Sequence, residues 1–314
     1  MTPLPDSKTK IYANSSILVI LGFILFTSGL FAKERQESGK TFQASGATIY
    51  YEVIGSGSGT PLVLANGGPG FDHMYFHVTD AWDVIAKTRP VVFYDQRGNG
   101  RSGALKEGQT CTLADQVQDL DDLITHLGYK KVDLLGGSWG GYLAMAYGIA
   151  HPDKVERMIL VDSAAPKFTD TAFRFNDIFP DKVAQEDANR KQLSAKEASE
   201  KNMQIYFSMI FYSEEKRDGF IAKSSTFAID NKVGGMIIAD IRDRDLNSDI
   251  AKFKFPVLVI TGRFDINVAP TTAYKIHQTI PNSQFVVFEK SGHLPFYEEP
   301  EKFIRIMNEF LTSK

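Results

Sequence analysis

The chain has one cysteine, Cys111, in 314 residues. A lone cysteine excludes an intrachain disulfide, and no Cys/His cluster has metal-ligand spacing. Cys111 reads as a small apolar residue placed just before a helix. Charge of one sign is lacking too: 35 basic residues face 38 acidic ones, for a formal net charge of -3. There is no basic excess to hold nucleic acid and no acidic block to form a disordered tail. Internal repeats and long low-complexity segments are absent. With 43% hydrophobic and 12% aromatic residues, the chain can bury a large core.

The first forty residues differ in character from the rest. Lys8 and Lys10 precede an apolar run from Ile17 to Phe31, after which Lys33, Glu34 and Arg35 return the chain to water. A positive segment before such a run reads as an export signal or an uncleaved anchor. A bilayer span takes roughly 20 apolar residues, with a lower limit of about 17, and this run sits at that edge. The expectation is an N-terminal hydrophobic helix in residues 1–40 and an extracytoplasmic protein, secreted or periplasmic if the segment is cleaved, held at the membrane if it is not.

Beyond it, Thr41–Ile54 reads as a hairpin turning at Ser45-Gly46. Short apolar runs then recur at Pro61–Ala65, Val91–Tyr94, Val132–Leu135, Arg157–Val161, Pro256–Thr261 and Phe285–Phe288. Near-continuous apolar runs suit parallel strands buried on both faces. The segments between them carry helix punctuation. Thr112 and Asp115 resemble a capping box, followed by Val117, Leu120, Ile124 and Leu127 at helical spacing and a stop at Gly128. Phe303, Ile306, Met307, Phe310 and Leu311 form another stripe behind Pro300. Alternating strands and helices imply an α/β fold with a doubly wound, mostly parallel sheet. The stretch 166–250 breaks the rhythm, being helical in pattern and rich in Lys, Glu, Asp and Phe. It reads as an inserted helical lid between core segments 41–165 and 251–314.

Gly136-Gly137-Ser138-Trp139-Gly140 joins the strand Val132–Leu135 to a helical run. Gly-x-Ser-x-Gly between strand and helix is the context in which a sharp turn lifts a serine hydroxyl clear of the sheet, beneath a helix N-terminus. Ser138 is therefore the candidate nucleophile. A serine needs a base. Of six histidines, His293 stands in Ser291-Gly292-His293, on a loop just after the last strand, where open α/β sheets build their sites. His73 and His77, behind a glycine loop, could line the same pocket; His126, His151 and His277 belong to helices. The base needs an orienting carboxylate. Asp265 directly follows the strand Pro256–Thr261, and the order serine, acid, histidine suits this fold. Asp162, at the end of the strand before the lid, is the rival.

The oxyanion requires N–H donors. One is the backbone N–H of Trp139, the residue after the nucleophile. The other comes from Asn66-Gly67-Gly68-Pro69-Gly70, the loop after Pro61–Ala65. At this point the sequence resembles the proline iminopeptidase family of α/β-hydrolases. Asn66-Gly67-Gly68-Pro69-Gly70 is similar to that family's His-Gly-Gly-Pro-Gly, with Asn66 in place of the histidine. Asp95-Gln96-Arg97-Gly98-Asn99-Gly100-Arg101-Ser102 matches its Asp-Gln-Arg-Gly-x-Gly-x-Ser loop, and the elbow matches with its tryptophan. Gly262-Arg263-Phe264-Asp265 and Ser291-Gly292-His293 resemble its acid and histidine loops. The resemblance implies the α/β-hydrolase fold, the triad Ser138, Asp265 and His293, and oxyanion donors at Trp139 and Gly68, with Gly67 next. No metal or organic cofactor is implied. The implied substrate is a short peptide, with its free amino group held by lid glutamates; Glu200, Glu214, Glu215 and Asp230 are available and no spacing selects among them. An esterase or other small-molecule hydrolase would use the same triad, and a binding protein on the same fold is the third reading.

Overall fold

The computed structural model describes residues 39–224, 227 and 229–313. The apolar run at residues 17–31, and with it the expected N-terminal helix, lies outside them. Among the described residues no helix is long and apolar enough to cross a membrane.

Eight strands form one sheet: β1 (Lys40–Ala44), β2 (Ala47–Ile54), β3 (Leu62–Ala65), β4 (Val91–Tyr94), β5 (Val132–Gly137), β6 (Val155–Val161), β7 (Val257–Gly262) and β8 (Gln284–Phe288). Their order is β1-β2-β4-β3-β5-β6-β7-β8. The first two strands make an antiparallel hairpin, and β2 pairs antiparallel with β4. All pairs from β4 across to β8 are parallel. Strands β3, β4, β5 and β7 are buried at every residue, as their unbroken apolar runs require. The departure from an all-parallel sheet sits at one edge, where only Ala44 of β1 is buried.

Helices α1 (Ala81–Ile85), α2 (Leu113–His126) and α3 (Trp139–Ala150) precede the insertion. The predicted capping box closes on itself at the start of α2: the Thr112 hydroxyl accepts from the Asp115 N–H, and the Asp115 carboxylate accepts from the Thr112 N–H. Cys111 is buried beside it, accepts from the Gln116 amide at 3.0 Å, and burial pushes its thiol up to about 11, so it is no activated nucleophile.

Between β6 and β7 the chain is helical: α4 (Phe175–Ile178), α5 (Pro180–Gln192), α6 (Ala195–Phe207), α7 (Glu214–Ser224), α8 (Asn231–Ile241) and α9 (Asn247–Ile250). Helix α5 buries none of its residues, whereas α6 buries Ala198 and Phe207, and α8 buries Val233, Ile237 and Ile241. After β7 come α10 (Pro270–Thr279), α11 (Pro295–Glu298) and α12 (Pro300–Thr312). The α12 stripe buries Phe303, Met307, Phe310 and Leu311, each contributing about 1.5–3 kcal/mol relative to exposure.

Candidate active site

Ser138 sits between β5 and α3 at φ 54°, ψ −120°, a conformation that non-glycine residues rarely adopt. Three backbone bonds hold it there: its N–H donates to Val161, and its carbonyl accepts from Gly141 and Ala164. The flanking glycines are a steric necessity. A Cβ on Gly140 would lie 2.0 Å from the Ala65 carbonyl oxygen, and one on Gly136 would lie 2.2 Å from that of Gly140. Strain of this kind persists where surrounding contacts over-determine it.

His293 and Asp265 meet as expected. The imidazole Nδ1 lies 2.7 Å from Asp265 Oδ2, and both residues are buried. The Asp265 carboxylate also accepts from the N–H groups of Asn267 and Val268 at Oδ1. The loops approach so closely that a Cβ on Gly262 would collide with the Gly292 carbonyl. Asp162, the rival acid, is not remote: one oxygen of each carboxyl group and a ring nitrogen of His293 all lie within 4.8 Å of one another. Asp162 accepts from the Gly262 N–H but lacks an Nδ1 contact of its own. Burial, and next the charge of Asp265, raise its pKa well above the usual carboxylate range. Asp265 is thus the residue that holds the ring, with Asp162 behind it.

Ser138 and His293 line one cavity, but no hydrogen bond joins them among the described residues. Instead His293 Nε2 lies 2.9 Å from the side-chain nitrogen of Asn267, which also donates to the Tyr206 hydroxyl from α6. With Nδ1–H donated to Asp265, Nε2 is the acceptor, so the Asn267 amide occupies the lone pair a serine base would use. Sequence reading missed Asn267 and Tyr206. Nothing in a residue two positions past the acid, or in a lid tyrosine, signals that both reach the base.

Trp139 is the first residue of α3, where helix geometry leaves N–H groups without an intrahelical acceptor. Gly68 lines the cavity. Gly67 is removed as a donor, because its N–H already donates to the buried Tyr75 hydroxyl at 2.9 Å. Asn66 serves the loop by hydrogen bonding. Its amide donates to the Phe71 carbonyl, and Gln96 donates to both its carbonyl oxygens while accepting from the Trp139 indole. One side-chain chain thus ties the glycine loop to the elbow.

The cavity spans about 510 Å3, part of it open to solvent. Phe71, Tyr75 and Val161 contribute from the sheet side, Tyr206, Phe207, Ile210 and Phe220 from the insertion, and Leu294 and Phe296 from the histidine loop. None of Glu200, Glu214, Glu215 and Asp230 lines it; the first three are exposed, and Asp230 caps α8 by accepting from Lys232 and Val233. His73 and His77, which could have lined it, do not. They pack instead against Glu52 of β2.

A parallel sheet with a serine at the elbow and an acid–histidine pair at its carboxyl edge defines a hydrolase of the α/β type, and the family described as alpha/beta hydrolase fold matches residues 60–300. Within that class, the chain belongs to the proline iminopeptidase-like family. It is 30% identical to the proline iminopeptidase of Clostridium botulinum over 84% of this chain and 94% of that one. It is 31% identical to that of Heyndrickxia coagulans over 85% and 96%. Among solved structures, an esterase from Exiguobacterium antarcticum superposes with a TM-score of 0.71 at 24% identity, covering 88% of this chain and all 100% of that one. An esterase from Thermogutta terrifontis gives 0.66 at 24% identity, covering 87% and 97%. These structures share the fold.

Proposed function

We propose that the chain is a serine hydrolase working through an acyl-enzyme, and that it releases N-terminal residues, proline foremost, from short peptides. The observation that carries the chemistry is the Asp265–His293 pair opening onto the same apolar cavity as the strained Ser138. Ser138 attacks the carbonyl carbon as His293 Nε2 takes its proton, after the Asn267 amide has yielded that nitrogen. The N–H groups of Trp139 and Gly68 receive the oxyanion. His293 then protonates the leaving amine, and water, activated by the same base, releases the acyl group. The peptide reading is supported by relatives named proline iminopeptidase at 30–31% identity. An aromatic cavity also suits a pyrrolidine ring.

One observation favours an esterase as the second reading. Among the described residues, no carboxylate lines the cavity to hold a free amino group. The decisive assay compares a proline arylamide, its N-blocked form and a short acyl ester. Cleavage of only the free-amine arylamide supports the peptidase; preference for the ester, with indifference to blocking, overturns it. If none is cleaved and a fluorophosphonate leaves Ser138 unlabelled, the serine mechanism itself fails. We also infer an extracytoplasmic location from the apolar run Ile17–Phe31 behind Lys8 and Lys10. Cell fractionation with intact mass tests this, and full-length protein confined to the cytosol would refute it.

A further inference from the structure

A second cluster of histidines and carboxylates lies away from the cavity walls. Glu52 projects from β2, and His73 and His77 come from the 3-10 turn His73–Val78 that follows the glycine loop. One ligand atom from each of the three falls within 4.8 Å of the other two. His73 Nε2 is 3.4 Å from Glu52 Oε1, and His77 Nε2 is 3.4 Å from Glu52 Oε2. Charge-assisted hydrogen bonds between such groups close to about 2.7–2.9 Å. Separations of 3.4 Å are loose for direct pairing. Two imidazole nitrogens and a carboxylate oxygen within 4.8 Å of one another are, however, a set that one cation can bridge.

The surroundings complete the pattern. His73 Nδ1 is held at 2.6 Å by Asp95 Oδ1, which also accepts the His73 backbone N–H. A carboxylate on the far nitrogen is how metal-ligating imidazoles are oriented, since it fixes the tautomer and aims the Nε2 lone pair inward. The His73 side chain is 1% exposed, and its Nε2 has no hydrogen-bond partner. Tyr50 and Arg101 both donate to Glu52 Oε1, which fixes that carboxylate and turns Oε2 toward His77. Glu52 and His77 side chains are 10% exposed, so an ion can enter from their side.

We propose that Glu52, His73 and His77 form a site for a divalent transition cation of the zinc type, which ties β2 to the turn behind the loop carrying Gly68. Two imidazoles and one carboxylate suit such a cation rather than magnesium or calcium, which prefer all-oxygen sets. The inference does not depend on the peptidase or esterase reading, because it concerns residues outside the cavity.

The test uses the full chain, stripped with chelator and titrated with Co2+ and then Zn2+. The expected result is one Co2+ per chain with the visible absorption bands of tetrahedral coordination, displaced by Zn2+, and a rise in melting temperature with added Zn2+. His77→Gln and Glu52→Gln should each weaken binding at least tenfold, while His126→Gln, altering an exposed histidine elsewhere, should leave it unchanged. Absence of stoichiometric Co2+ in the unsubstituted protein overturns the proposal, whatever the variants do. So does equal binding in His77→Gln and the unsubstituted chain. Should a variant fail to fold, the spectrum of the unsubstituted protein decides alone.

Discussion

Two aspartate–histidine pairs stand in this molecule with nearly the same local geometry. Asp265 holds His293 Nδ1 at 2.7 Å, and Asp95 holds His73 Nδ1 at 2.6 Å. In both, the carboxylate also collects backbone N–H groups: Asn267 and Val268 in the first, His73 and Arg101 in the second. What separates them is the far nitrogen. That of His293 accepts from the Asn267 amide at the wall of the apolar cavity shared with Ser138. That of His73 faces Glu52 in a polar cluster. An oriented imidazole is therefore not a catalytic site by itself; the group opposite Nε2 assigns its work.

The sharpest way to break this contrast is at the nucleophile. Ser138→Ala should lower turnover by about a millionfold with the fold intact, measured on whichever substrate the chain cleaves. Undiminished hydrolysis would put the chemistry elsewhere. Next come the two orienting acids, tested side by side. Asp265→Asn should cost about 10⁴-fold in turnover, through loss of the correct tautomer, with little effect on melting. Asp95→Asn should do the reverse, leaving turnover within about tenfold and lowering stability by about 1–3 kcal/mol. If both abolish turnover without lowering stability, the two pairs are not functionally distinct.

A smaller effect should come from Asn267. Its amide competes with the Ser138 hydroxyl for Nε2, and one net hydrogen bond is worth about 1 kcal/mol, so Asn267→Ala should raise turnover by up to about fivefold. A hundredfold fall would instead make Asn267 a positioning residue for the ring. The mildest effect concerns Glu298, which accepts from the N–H groups of Tyr212, Ser213 and Gly292, joining the insertion to the histidine loop. Burial raises its pKa from 4.5 to about 7 despite those three donors. A raised carboxyl pKa means that the folded state binds the extra proton. Its contribution to stability is thus full below pH 4.5 and is lost as pH climbs to about 7. Glu298→Gln should flatten that part of a melting-temperature profile, and an unchanged slope would place the titration on another group.

Much of this was legible before any coordinates. The unbroken apolar runs foretold the parallel strands within a residue or two, because strands buried on both faces leave no polar alternation to read. Thr112 and Asp115 announced the start of α2, since capping is a local exchange of hydrogen bonds. Gly136, Ser138 and Gly140 announced the elbow for a steric reason equally local. The histidines were harder. His73 and His77 follow a glycine loop much as His293 does, yet they turn away from the cavity, because Glu52 and Asp95 arrive from strands distant in sequence. The partners of His293 were likewise hidden: Tyr206 comes from the insertion, and Asn267 reaches the ring only through the fold of the loop after β7.

The sequence by itself determined the strand and helix segments, the nucleophile turn, and the acid and base loops, all of which rest on local sterics, periodicity and short-range hydrogen bonding. Only the tertiary structure decided which acid grips which imidazole, that Gly67 spends its N–H on Tyr75, and what stands against each Nε2. Those outcomes depend on side chains brought within about 3 Å of one another from separate elements, a proximity that no pattern along a single chain encodes.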